Sequence, residues 1–365
     1  MNAVEFKDIT KVYGKKTILD KVNFVVEAGT FTVIFGAPGC GKSVILRLLT
    51  GLEKPKSGDV LLRDVNVTTM SSGDRNIGYT PQSFALYPHY KVRDNIGYPL
   101  KLIGASKEEI DEVVKSTSDL LGISHLLDKT PNQLSGGEKQ RVAIARGIAK
   151  KTDIFVFDDP LTGLDFKLRE QLFDDLRSMQ ESLKATFIYT TSDPLEAMML
   201  AEKIHVLDAG SIVETGDLEA VYHQPQHLRT ARLLGFPKIN IIEGILEKGG
   251  KGMVCKTDLF SFPVVLKDEA YSNLESVSVA FRPQAIKINS KVIGSSVSAK
   301  AKVMLAEDLG SEMVVHMEAN GYSLLSVERH EKFNQQQGEV EIEIQNKNLM
   351  LFDTITAQRI GQGVE

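Results

Sequence analysis

Cysteine is scarce in this chain. Its two thiols, Cys40 and Cys255, lie far apart in sequence and form no metal-type spacing. That usage suits a reducing cytosol. Long apolar runs are missing as well: none approaches the roughly 18 residues that would suggest a membrane span. The opening stretch MNAVEFKDIT carries acidic residues and no apolar run, so a secretory signal is not expected. Basic residues are not in excess either. The 43 Lys and Arg stand against 48 Asp and Glu, a net charge of −5, so no global basic field recruits nucleic acid. What is present is ordinary for a soluble globular protein: 42% hydrophobic and 25% charged residues, in a 365-residue chain with room for two or three domains.

The first two thirds alternate apolar strands with amphipathic helices. Strands are expected at Phe31–Phe35, Ile154–Phe157, Thr186–Tyr189 and Ile204–Leu207. A helical stripe runs through Leu164, Leu168, Leu172, Leu176, Met179 and Leu183. Continuous apolar strands separated by helices indicate a parallel sheet covered on both faces. Residues from about 96 to 150 read as a mostly helical subdomain beside that sheet. After Gly235-Phe236-Pro237 short alternating runs replace the stripes, at Val277–Ala280, Lys302–Leu305, Met313–Met317, Leu324–Val327 and Glu339–Ile344. They predict a small all-β barrel. The expected fold is thus α/β, a P-loop (RecA-like) sheet with a helical subdomain over 1–235, then an OB-like barrel over 236–365.

Open α/β sheets bind ligands at the carboxyl ends of their strands. There lies Gly36-Ala37-Pro38-Gly39-Cys40-Gly41-Lys42-Ser43, which fits G-x-x-x-x-G-K-[ST] between a strand and a helix. Its glycines let backbone N–H groups converge on phosphate oxygens, and the helix N-terminus adds a favourable dipole. Lys42 is placed to reach the β- and γ-phosphates of ATP and the Ser43 hydroxyl to ligate Mg²⁺. Asp158, ending the run Phe155-Val156-Phe157, should hold the same Mg²⁺ through water. Cys40, inside the loop, is expected to present its thiol near solvent, and Cys255 to be reactive as well.

Leu134-Ser135-Gly136-Gly137-Glu138-Lys139-Gln140-Arg141 resembles the signature motif of ABC ATPases. A helix beginning after Ser-Gly-Gly offers donors and a positive dipole end to an anion. The resemblance implies that this anion is the γ-phosphate of ATP held by another subunit, so that two nucleotides are sandwiched between two such domains. It further implies that Tyr13 stacks on adenine and that Gln82 senses Mg²⁺ and the attacking water. Leu86-Tyr87-Pro88-His89 through Asp94-Asn95-Ile96 would grip a membrane subunit, and Leu161–Asp165 would cross the dimer interface. In the C-terminal third, Gly235-Phe236-Pro237, Asn240, Phe281-Arg282-Pro283-Gln284 and Leu309-Gly310-Ser311-Glu312 resemble landmarks of the regulatory β-barrel in the maltose, sugar and glycerol-phosphate importer subgroup.

Three positions depart from the family pattern, all on the Walker side. The strand Thr186–Tyr189 leads into Thr191-Ser192-Asp193, where the family has Thr-His-Asp and the His reaches the γ-phosphate. As an ordinary local feature, Ser192 or Asp193 could simply cap the following helix. The catalytic base following the Mg²⁺ aspartate is normally Glu and here is Asp159, set back by one methylene, about 1.5 Å. A displacement of about 1 Å can cost a factor of roughly 10² in rate. Val44 replaces the usual Thr, removing a hydroxyl near the α-phosphate. The signature side is intact. The resemblance therefore implies an ATPase subunit of an importer for a small polar solute, on the cytoplasmic face of the inner (cell) membrane. Its expected partners are two permease subunits, indirectly a solute-binding protein, and a second, different ATPase chain. The alternatives are a slow homodimeric ATPase and a non-hydrolysing regulatory ABC module.

Overall fold

The computed structural model describes residues 1–163, 166–250, 252–290, 292–330 and 338–364. They form two compact units, Met1–Glu219 and Ala220–Glu365.

In the first unit, Phe31–Phe35, Ile154–Asp158 and Thr186–Thr191 are buried at every position, as strands covered on both faces must be. They belong to a six-stranded sheet in the order Ser211–Asp217, Lys203–Asp208, Phe31–Phe35, Thr186–Thr191, Ile154–Asp158, Gly78–Thr80. All neighbours are parallel except the first pair. Register sets the site: Phe35 pairs with Thr191, and Asp158 with Thr190. Three strands therefore end at one level, and the loops that follow them converge.

A second, antiparallel sheet has the order Lys16–Glu27, Asn2–Tyr13, Ser57–Leu62, Val65–Asn66. The parallel pattern gives no hint of it. Its inner residues Val4, Phe6, Leu19, Val22, Phe24 and Val60 share a core with Ile34, Ile45, Val156 and Ile188 of the parallel layer and its first helix. The helical subdomain is there, with helices Val92–Leu102, Lys107–Leu120 and Gly136–Ile148 inserted between Gly78–Thr80 and Ile154–Asp158. The last of these helices lies close to the edge strand. A Cβ at Gly78 would stand 2.6 Å from the Gly147 carbonyl oxygen, and one at Gly147 would stand 2.5 Å from the Thr80 hydroxyl.

The second unit holds a closed barrel of Asn240–Gly249, Gly252–Thr257, Ser261–Leu266, Arg359–Gly363, Met350–Asp353 and Val277–Phe281. It also holds a five-stranded antiparallel sheet in the order Ile286–Ile288, Glu339–Gln345, Ser296–Asp308, Glu312–Ala319, Tyr322–Arg329. One hydrophobic core joins the two, so the β region is larger than the single small barrel expected. Asn240 stitches them: its amide donates to the Leu325 carbonyl at 2.9 Å and accepts the Leu325 N–H at 2.7 Å. The expected boundary near residue 235 falls inside this compact unit. Leu228 and Ala231 pack on Ala280, Met350 and Phe352, and the Arg282 guanidinium donates to the carbonyls of Tyr222, Ala231 and Leu234.

Candidate nucleotide site

The phosphate loop leaves the sheet with Gly36, whose N–H donates to the Thr191 carbonyl. A Cβ at Gly36 would lie 2.2 Å from the Leu207 carbonyl oxygen and 2.8 Å from Cys40 Sγ, so only glycine passes here. Gly39 and Gly41 hold φ of 79° and 117°, in the left-handed region that favours glycine. The helix Lys42–Leu49 follows, and its N-cap Gly41 gives no side-chain cap. Its first N–H groups are therefore left for an anion. Lys42 is buried, and its ammonium donates to the carbonyls of Gly36 (2.7 Å) and Ala37 (3.2 Å). Ala37, Pro38 and Val44 occupy the loop and first helical turn as expected, and Val44 is buried in the core.

The Ser43 hydroxyl donates to Asp158 Oδ1 at 3.0 Å, across 115 residues of sequence. Two further hydroxyls, absent from the sequence reasoning, reach the same carboxylate: Thr190 at 3.0 Å to Oδ1 and Tyr79 at 3.4 Å to Oδ2. Asp159, the next residue, has φ of 47°, a left-handed conformation unusual for a side-chain-bearing residue. Its N–H donates to both the carbonyl and the hydroxyl of Thr190, and its carboxylate accepts the Thr162 hydroxyl at 3.0 Å. Burial raises the Asp159 pKa, while the Thr162 hydroxyl and Lys42 pull it down.

Ser192 is half-buried at the bend after Thr186–Thr191. It does not cap the next helix: Asp193 does, accepting the Leu195 N–H at 2.8 Å and an Arg169 guanidinium N–H at 2.8 Å. Behind the bend, Glu196 is buried. Burial pushes its pKa up, against the hydroxyls of Thr191 and Tyr189 that donate to it. Gln82 is exposed and, among the described residues, makes no hydrogen bond to Ser43 or Asp158. Its loop is pinned instead by Arg146, which donates to the carbonyls of Phe84 and Ala85.

Two expectations need correction. Cys40 is buried rather than near solvent: its sulfur packs under Gly36, and burial raises its pKa. Cys255 is wholly buried in the second unit's core, and burial pushes its thiol to about 12, far from a reactive thiolate. Sequence gives the position of a thiol in a loop, but not what the neighbouring strands lay over it.

At the signature, Ser135 caps the helix Gly136–Ile148. It accepts the Glu138 N–H while Glu138 accepts the Ser135 N–H, a capping box. Gly136 has open space around it. A Cβ at Gly137 would stand 1.9 Å from Leu168, so the helix Phe166–Leu183 packs against that turn. Tyr13 is exposed. Its hydroxyl donates to Glu53, and the Lys11 ammonium lies 5.1 Å from its ring centre. Burial would raise the Glu53 carboxyl, but hydrogen bonds from Tyr13, Lys11 and Arg47 bring it down to about 2. Leu164, the first residue of the expected helical stripe, and Asp165 lie outside the described residues.

The segment assigned to a membrane subunit is a cluster of tyrosines. The rings of Tyr87, Tyr90 and Tyr98 lie 4.6–5.8 Å apart, with the Arg146 guanidinium 5.5 Å from that of Tyr87. Tyr87 and Tyr90 are exposed. The buried Asn95 fixes the loop through the Tyr87 N–H and the Tyr87 and Tyr90 carbonyls.

The ABC transporter family matches residues 19–162. The trehalose/maltose import ATP-binding protein of Thermococcus litoralis is 34% identical over 373 residues, spanning 99% of this chain and 100% of the relative. The maltose/maltodextrin import ATP-binding protein of Vibrio cholerae is 36% identical over 88% of this chain and 86% of its own. An sn-glycerol-3-phosphate import ATP-binding protein of Agrobacterium fabrum is 33% identical over 99% and 95%. Among solved structures, a dimeric ATP-binding cassette in a post-hydrolysis state bound to ADP and Pi matches with a TM-score of 0.55 and 30% identity. It covers 59% of this chain and 98% of that one.

Proposed function

This chain belongs to the ATP-binding proteins of ABC transporters, and on that premise we propose that it is the ATP-hydrolysing subunit of an importer for a small polar solute. The relatives named for maltose, trehalose and glycerol phosphate support a sugar, a polyol such as glycerol, or glycerol phosphate as that solute. Two permease subunits, indirectly a solute-binding protein, and a position on the cytoplasmic face of the inner (cell) membrane go with this reading. Among the described residues no helix is long and apolar enough to cross a membrane. The exposed tyrosine cluster suits a protein partner, because aromatic rings are enriched at interfaces.

The observation that carries the nucleotide site is the bond from Ser43 to Asp158 beside Lys42 and the uncapped helix start. A hydroxyl and a carboxylate are hard oxygen donors of the kind Mg²⁺ takes together with substrate phosphates. When bound, Mg²⁺ would offset charge on the β- and γ-phosphates. Lys42 would neutralise the same phosphates, Ser135 and Gly136 would face the nucleotide of the other subunit, and Asp159 would orient and deprotonate water. Tyr13 would stack on the base, and Gln82, Glu138 and Ser192 would line the closed site.

We further propose that the Walker side of this chain is slow and that its ATPase partner is a different chain with complete Walker motifs. The support is the shortened Asp159, held in a left-handed backbone and bonded to Thr162, together with the hydroxymethyl of Ser192 in place of an imidazole. The first test is nucleotide binding. Lys42→Ala should weaken MgATP binding roughly 10- to 100-fold, the worth of a lost charged hydrogen bond. Unchanged affinity in an equilibrium titration would rule out this phosphate loop.

A further inference from the structure

We propose that Thr190 and Tyr79 are positioning residues that hold Asp158, and through it the metal-facing edge of the nucleotide site, in one orientation; this rests on the nucleotide reading above. Asp158 is buried, and among the described residues no Lys, Arg or His lies within ion-pair distance of it. A buried carboxylate without a countercharge needs hydrogen-bond donors. Three hydroxyls supply them. Ser43 and Thr190 both donate to Oδ1 at 3.0 Å, and Tyr79 makes a longer bond of 3.4 Å to Oδ2. Each carboxylate oxygen accepts about two hydrogen bonds. Oδ1 is thus filled, and Oδ2 retains acceptor capacity for the metal's shell.

Thr190 serves two neighbouring residues at once, the carboxylate of Asp158 and the backbone of Asp159. Its proton goes to Asp158, and its lone pair accepts the Asp159 N–H at 3.1 Å, reinforced by its own carbonyl at the same distance. Those bonds hold Asp159 in its left-handed conformation, which costs energy for a residue other than glycine. The pairing of Thr190 with Asp158 fixes this placement, and a β-branched side chain has little χ1 freedom to leave it. Ser43 would share its oxygen with a bound metal. Thr190 and Tyr79 would not, so they can fix Asp158 with or without Mg²⁺.

The test uses the full-length chain and a fluorescent ATP analogue. Affinity is titrated in EDTA and then at stepped Mg²⁺ concentrations, with melting followed in parallel. Thr190→Val keeps the shape and removes the hydroxyl. It should raise the Mg²⁺ concentration for half-maximal gain in affinity about tenfold, as loss of a charged hydrogen bond implies. Metal-free affinity should stay at the wild-type value. Thr190→Ser should recover most of the shift. Tyr79→Phe should shift the same quantity by less, because its bond is longer, and it keeps the test open should Thr190→Val fold poorly. Wild-type Mg²⁺ dependence in Thr190→Val and Tyr79→Phe, or a Ser variant no better than Val, overturns the proposal. A loss of metal-free affinity equal to the loss with Mg²⁺ also overturns it, since that is a fold effect. If the wild-type chain itself gains no affinity from Mg²⁺, the underlying metal-site reading fails.

Discussion

His205 is 1% exposed, packed 4.9 Å from the ring of Phe24, and burial holds its pKa down to about 4. The folded pKa lies below the unfolded value of about 6.5, so the unfolded chain binds the extra proton between them. This residue's contribution to stability is therefore complete above about pH 6.5 and is lost as pH falls towards 4, on the order of 3 kcal/mol in all. Glu196 and Asp159 act in the opposite sense, because burial raises their pKa values. The measurement is thus a difference: denaturation of wild type and His205→Leu between pH 7 and 4. The variant should lose markedly less stability over that window, and parallel curves would show that His205 does not set the acid response. At this scale the placement of the glycine-rich loop between the strand Phe31–Phe35 and the helix Lys42–Leu49 was readable from the sequence, because such a loop needs fixed residue types at fixed spacing. Thr190 and Tyr79 were not. Their role arises from strand register, and neighbouring strands need not be neighbours in sequence.

The edge strand Gly78–Thr80 and the signature helix Gly136–Ile148 meet glycine to glycine. Gly78→Ala would press a methyl to 2.6 Å from the Gly147 carbonyl and 2.5 Å from the Phe155 ring. Backbone cannot yield as a flexible side-chain tip can. A loss of about 1–3 kcal/mol is expected, read as a lower denaturation midpoint with an unchanged m-value. An unaffected midpoint would mean that strand and helix stand further apart. The parallel strands and the stripe of Phe166–Leu183 were legible because complete burial and helical periodicity mark a sequence strongly. Less legible was the antiparallel sheet at the start. Asn2–Tyr13 and Lys16–Glu27 are broken by register shifts, so their alternation of burial is irregular. The division between the units was also hidden, since the helix Leu228–Leu233 looks like a continuation of the α/β pattern but packs on Ala280 and Phe352.

For the whole molecule, the departures at Asp159, Ser192 and Val44 fall on one side and the intact Ser135-Gly136-Gly137 on the other. A homodimer would repeat the weak side twice. Paired with a different ATPase chain, this one would lend its signature to a complete site and keep a nucleotide on its own Walker side. Kinetics on the assembled transporter distinguishes these two assemblies. Steady-state ATPase of the purified complex should be nearly abolished by Ser135→Arg, which would place a bulky cation where, on the proposed reading, the signature meets the other subunit's phosphate. Asp159→Asn should cost much less, since it alters a carboxylate already recessed and bonded to Thr162. An Asp159→Asn complex as inactive as the Ser135→Arg complex would contradict the unequal-site assignment and make Asp159 a working base in two equivalent sites.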